Sequence, residues 1–522
     1  MANNISFPCS IILLLSIIFF FFINSSHAMP SFNVQRYGAR GDGRTDATNS
    51  FLTAWSLACR SRARAMVYIP RGTYMVRNLV FWGPCKNVIT FKIDGTLVAP
   101  ANYWSIGNSG YWILFAKVNR ISVYGGTIDA RGAGYWSCRK KGGHCPQGAR
   151  SISFSWCSNV LLSGLTSFNS QNMHVTVHHS SNVRIQNIRI RAPSGSPNTD
   201  GIHIQSSSGV TITGGTIATG DDCIALSQGS RNIWIERVNC GPGHGISIGS
   251  LGDYANEEGV QNVTVTSSVF TKTQNGVRIK TWARPSRGFV RNVVFRNLIM
   301  RNVGNPVIID QNYCPNGRGC PRQVNNLKER WTLSSRCKGM YSISFSWCSN
   351  VLLSGLTSFN SQNMHVTVHH SSNVRIQNIR IRAPSGSPNT DGIHIQSSSG
   401  VTITGGTIAT GDDCIALSQG SRNIWIERVN CGPGHGISIG SLGDYANEEG
   451  VQNVTVTSSV FTKTQNGVRI KTWARPSRGF VRNVVFRNLI MRNVGNPVII
   501  DQNYCPNGRG CPRQVNNLVD LA

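Results

Sequence analysis

Gly243-His244-Gly245-Ile246-Ser247-Ile248-Gly249-Ser250 places a polar residue and a small residue ahead of apolar residues at alternate positions. Three other segments share this layout: Asp200-Gly201-Ile202-His203-Ile204-Gln205, Asp222-Cys223-Ile224-Ala225-Leu226-Ser227 and Asn275-Gly276-Val277-Arg278-Ile279-Lys280. Apolar residues at every second position mark a strand with one buried face. The segments recur at intervals inside the ~20–50-residue range of stacked repeats. On one wall of a solenoid, such segments become neighbours at ~4.8 Å, the inter-strand spacing. Asp200, Asp222 and His244 then form a ladder, with Asp221 beside it and Arg278 and Lys280 one rung further on.

A second strand series runs in phase with the first: Asn159-Val160-Leu161-Leu162, Asn182-Val183-Arg184-Ile185, Gly209-Val210-Thr211-Ile212, Asn232-Ile233-Trp234-Ile235, Asn262-Val263-Thr264-Val265 and Asn292-Val293-Val294-Phe295. Two interleaved series predict an all-β chain, a right-handed single-stranded parallel β-helix. The Asn or Gly before each strand suits a tight corner with left-handed backbone angles and stacked side-chain amides. Near the start, Asp46 is predicted to N-cap a helix carrying Phe51, Trp55, Ala58 and Cys59 on one face. Such a helix would cap the first rung, whose free edge otherwise invites pairing with other chains.

Composition agrees with this fold. The chain has 522 residues, of which 54 are Gly and only 14% are charged. Lys and Arg number 51 against 22 Asp and Glu, a formal charge of +29, and such a surface attracts polyanions. No run of five or more basic residues and no zinc-finger or RNA-recognition motif is present, so nucleic acid is not the expected partner. An acidic polymer of another kind is. Residues 1–28 are expected to be a signal peptide: Ile11 to Ile23 is apolar except for Ser16, and Ser26-His27-Ala28 supplies a small-x-small cleavage site. The apolar run falls short of the ~20 residues of a membrane span, so a secreted protein free of the membrane is expected. The 16 cysteines fit an oxidising compartment. Cys138/Cys145, Cys223/Cys240 and Cys314/Cys320 are close enough in sequence to pair, and with Cys9 in the leader at least one thiol is left over. No C-x-x-C spacing occurs, and neither metal nor cofactor is expected.

Residues 151–327 recur without one substitution at 342–518, separated by the unmatched stretch 328–341. Identity on that scale means a very recent tandem duplication or an error of gene assembly, because solenoid surfaces tolerate change. The second copy has no helix ahead of it, and neither copy shows a cap behind it, so uncovered edges are expected. The first copy, which keeps the helix, is the expected active unit.

Three carboxylates on adjacent rungs are costly as structure, since like charges raise one another's pKa unless something uses them. Hydrolysis of a glycosidic bond needs a carboxylic acid to protonate the leaving oxygen and a second group to activate water. Inverting enzymes hold the two ~6.5–9.5 Å apart. His244 is placed to tune the acid. Arg278 and Lys280, two apart on one strand, share a face and can hold substrate carboxylates. Singly, each residue has an ordinary reading: a turn Asp, a corner His, a solvated Arg-Ile-Lys. Strict alternation poses a difficulty, because it would turn the ladder inward with the Ile residues. The corner before each strand must therefore break it.

Asn198-Thr199-Asp200, Gly220-Asp221-Asp222-Cys223, Gly243-His244-Gly245 and Arg278-Ile279-Lys280 resemble the four motifs of the polygalacturonases, glycoside hydrolase family 28. The opening Phe32-Asn33-Val34, Tyr37-Gly38-Ala39 and Asp42-Gly43, with Ala54-Trp55, resembles the plant members. The resemblance implies inverting hydrolysis of α-1,4 bonds between galacturonates. It implies Asp221 as general acid, Asp200 and Asp222 as the pair that positions and activates water, and His244 in support of the acid. Arg278, Lys280 and Tyr313 are implied to bind substrate. The second copy carries the same set as Asp391, Asp412, Asp413 and His435, with Arg469, Lys471 and Tyr504. The implied partner is pectin or polygalacturonate in the cell wall, acted on by a monomer. The implied organisation is a β-helix at 29–327 that lacks the family's C-terminal rungs, a junction at 328–341 and a partial β-helix at 342–518. Two other readings remain: a pectate lyase, which would need acidic calcium sites and an Arg base, and a non-catalytic pectin-binding β-helix.

Overall fold

A computed structural model describes residues 29–282, 284–313, 331–336 and 342–505. The predicted signal peptide and the Cys314/Cys320 pair lie outside these residues. Within them the two strand series form two long walls of a parallel β-helix. One wall is a single 16-stranded sheet that runs from Leu79–Trp82, through all four motif strands, to Asn496–Asp501. Every strand in it pairs in parallel with the next.

Alternation explains the core. Ile202 registers with Ile224, Ile224 with Ile246, Ile246 with Val277, and Val277 with Val307. These five residues are at most 3% exposed. Stacking like on like fills the narrow interior, and burial of each such side chain contributes roughly 1.5–3 kcal/mol. The residues between them, His203, Ala225, Ser247 and Arg278, share the same register and form an outward column.

The second wall carries the predicted corners. Asn159, Asn182, Asn232, Asn262 and Asn292 have φ between 51° and 57°, and Gly209 has φ 64°. Their amides stack: Asn182 donates to Asn159 at 2.5 Å, Asn262 to Asn232 at 2.9 Å and Asn292 to Asn262 at 3.1 Å.

The N-terminal helix spans Thr48–Arg60 and buries Phe51, Ala54, Trp55 and Ala58. Its N-cap is Ala47 rather than Asp46. Asp46 stands one residue earlier and still accepts from the Thr48 N–H at 3.0 Å. Cys59 is tied to Cys85 by a disulfide that spacing did not single out. Cys138–Cys145 and Cys223–Cys240 form as predicted, Cys414–Cys431 repeats the latter, and Cys157 and Cys348 are buried thiols.

The edge ahead of the second copy is covered, contrary to expectation. Ile343–Ser346 pairs in parallel with Asn305–Tyr313, Val307 opposite Ile343 and Ile309 opposite Phe345. The first copy thus supplies the rung that a capping helix would otherwise cover. Within the junction, Trp331–Arg336 adds a strand that pairs with Val290–Arg301. At the far end, Val498 and Ile500 are 61% and 43% exposed, whereas their first-copy equivalents Val307 and Ile309 are buried.

Candidate active site

The carboxylates stand at corners, not inside strands. Asp200 lies two residues before the strand Ile202–Gln205, and Asp222 two before Ile224–Leu226. The corner breaks the alternation, so Ile202 and Ile224 point inward while the carboxylates border an open cleft of about 590 Å³. Backbone bonds hold successive corners in register: Gly201 N–H donates to Asp222 O at 2.9 Å and Cys223 N–H to Gly245 O at 2.7 Å. Two glycines are obligatory here. A Cβ on Gly220 would lie 2.1 Å from Ser196 O, and one on Gly245, where φ is +88°, would lie 2.1 Å from Asn275 O.

Asp222 is the electrostatic centre. Its Oδ1 accepts from Ser247 Oγ at 2.6 Å and Arg278 Nη2 at 3.0 Å, and its Oδ2 from Lys280 Nζ at 3.2 Å. The carboxylate is 4% exposed and the two cations 13% and 11%. Lys280 also lies 5.3 Å over the ring of Tyr313.

Asp221 and His244 form a pair across one rung. His244 Nδ1 donates to Asp221 Oδ1 at 3.0 Å, and the Asp222 amide donates to the same oxygen at 2.7 Å. Asp221 Oδ2 has no hydrogen-bond partner among the described residues. Burial pushes the Asp221 carboxyl up, but His244, the Asp222 amide and Lys280 outweigh it and hold it below the usual range. The hydrogen bond to Asp221 raises His244 above its ordinary value, against burial. Both shifts favour the charged partners, carboxylate and imidazolium.

Asp200 behaves oppositely. Burial raises it above an ordinary carboxyl, the neighbouring Asp222 and Asp221 charges add to this, and His203 opposes it. His203 Nδ1 lies 2.8 Å from Asp200 Oδ2, and its Nε2 lies 3.0 Å from Ser227 Oγ. Neither His203 nor Ser247 was singled out from the sequence. The signal was available, since both occupy the outward column that contains Arg278.

Asp221, Asp222 and His244 bring ligand atoms within 4.8 Å of one another. A cation placed there would have to displace Arg278 and Lys280 from Asp222, so the donor set is poorly suited to a metal.

The second copy reproduces each contact. His435 lies 2.9 Å from Asp412, and Asp413 accepts from Ser438, Arg469 and Lys471 at 2.6, 3.1 and 3.3 Å. His394 lies 2.9 Å from Asp391, whose carboxyl is again raised by burial. Lys471 stands 5.3 Å over Tyr504. Geometrically, then, the two copies are equal.

A family model described as Glycosyl hydrolases family 28 matches residues 59–330 and again 330–521. A polygalacturonase of Prunus persica is 52% identical over 60% of this chain and 81% of its own length. An exopolygalacturonase of Platanus acerifolia is 43% identical over 56% of this chain and 78% of its own. Among solved structures, an endo-xylogalacturonan hydrolase from Aspergillus tubingensis superposes with a TM-score of 0.53 at 21% identity, over 73% of this chain and 95% of that one. At that identity, the likeness speaks for the fold.

Proposed function

The chain belongs to family 28 of the glycosyl hydrolases, and from that premise we propose that it hydrolyses the α-1,4 bonds between galacturonates in pectin. Asp221 is the acid, Asp200 and Asp222 hold the attacking water, and Arg278, Lys280 and Tyr313 take the sugar and its carboxylate. The observation that carries this reading is Asp221 Oδ2, an open carboxylate oxygen at the cleft beside two cations already fixed on Asp222. Substrate carboxylates at Arg278 and Lys280 would offset the positive charge that depresses Asp221. With its pKa raised in this way, Asp221 would carry a proton on its open Oδ2 and give it to the leaving oxygen as the glycosidic C–O bond breaks. Water attacks the anomeric carbon, its oxygen forms the new bond, and its proton goes to the base. The family match does not favour a lyase.

Reducing ends released from polygalacturonate by the full chain test the activity, and NMR of the first product tests the stereochemistry. Inversion yields the β-anomer first. The α-anomer would overturn that assignment and leave the activity standing.

Asp200 sets the acid limb of the rate if it works as a base. A base acts only when ionised, so activity is lost as pH falls through its raised pKa. His203 lowers that pKa, so His203→Gln is expected to start the loss at higher pH. If the alkaline limb moved up instead, Asp200 would be the proton donor.

We read the working protein as secreted to the cell wall, which its disulfides suit. No helix among the described residues is long and apolar enough to cross a membrane. The first unit is read as 29–327 and the second as 342–518, joined through 328–341.

A further inference from the structure

We propose that the two copies form one tandem machine, with both sites cutting the same polysaccharide chain in a single encounter. This rests on the reading of the site given above. Both sites open on the outward face of one uninterrupted sheet. From Ile202–Gln205 to Ile393–Gln396 there are seven inter-strand steps, which at ~4.8 Å each separate the sites by ~34 Å.

The relation between them is the decisive feature. Every step along this wall is parallel, so the second site is reached from the first by translation along the solenoid, without reversal. A polysaccharide has a direction, and a two-fold relation would present it backwards to one site. Here a chain oriented for Asp221 is already oriented for Asp412. The floor between the sites continues the outward column: Ile308, then Ser344 and Thr367, whose hydroxyls lie 2.9 Å apart, then His394 of the second site. Arg278 and Lys280 stand on the second-copy side of the first site, and Arg469 and Lys471 recur on the same side of the second, so the cationic pair repeats along the polyanion's path. A polymer held at one site meets the other at an effective concentration set by this fixed distance, which needs no new contact.

Each cut breaks one glycosidic C–O bond and consumes one water, whose oxygen joins the anomeric carbon while a proton passes to the leaving oxygen. Two cuts on one chain consume two waters and release an internal oligogalacturonate whose length matches the site separation.

The test incubates the full chain with excess long polygalacturonate for less than one turnover of substrate and sizes the products. The wild type is compared with Asp221→Asn and Asp412→Asn. Both variants are expected to cut, each at about half the wild-type rate on a galacturonate trimer too short to reach both sites. A discrete oligomer of the separation length is expected from the wild type alone. Three results would overturn the proposal: the same early products from all three proteins, release of end sugars only, or one variant inert and the other equal to wild type. Absence of cleavage by the wild type on either substrate would instead remove the hydrolase reading itself.

Discussion

Asp221→Asn, made in a chain already carrying Asp412→Asn, is expected to lower kcat on polygalacturonate by about 10²–10⁴-fold, the usual contribution of a positioned general acid. Asn keeps the shape of Asp, and its Oδ1 still accepts from His244 and the Asp222 amide, as the carboxylate does at 3.0 and 2.7 Å. Binding through Arg278 and Lys280 is untouched, so KM should stay within a few-fold. What is lost is the open oxygen that can carry a proton to the leaving group. A fall in kcat with KM unchanged marks an interaction made in the transition state. Less than a tenfold fall would mean that another group, with raised Asp200 the first candidate, supplies the proton.

Asp222→Ala should act mainly on the fold. It leaves Arg278 and Lys280, 13% and 11% exposed, without their counter-charge. Removing one partner of a buried ion pair costs about 3–5 kcal/mol. The loss should concentrate in the strands Ile246–Leu251 and Asn275–Trp282, which carry Ser247, Arg278 and Lys280. Hydrogen exchange of their amides measures it, with Asp413→Ala in the second copy as an independent replicate. Asp253→Ala is the control, because its pair with Arg284 is 43% exposed on both sides. Exposed pairs contribute only about 0–1 kcal/mol. If Asp222→Ala cost no more than the control, water would be screening the cluster, and Asp222 would serve chemistry alone.

Much of this was legible in the chain. Alternating Ile and Val residues with recurrent Asn corners specify parallel rungs, because a period of two admits one buried face and Asn tolerates the left-handed corner. That local rule was enough to place Asp200, Asp222 and His244 on adjacent rungs and Arg278 with Lys280 beyond them. Other features depend on local backbone geometry or tertiary approach, neither of which periodicity encodes. His203 looked like one more outward residue until the corner at Asp200 brought the carboxylate against its Nδ1. The Cys59–Cys85 disulfide joins a helix end to a loop, and no spacing rule describes that approach. The N-cap shifted by one residue because the Asp46 side chain reaches forward to Thr48.

By itself, the sequence determined the β-helix, the column of motif residues and the duplication, since each follows from a repeat read along one dimension. Only the tertiary structure decided the rest. It set His244 against Asp221 in a pair whose charged forms favour one another, left Asp221 with one open oxygen, and covered the second copy's leading edge with the first copy's strand Asn305–Tyr313. Charge balance and edge coverage are set by which rungs stack and how far they bury their polar groups. Stacking brings together residues that sequence order keeps apart.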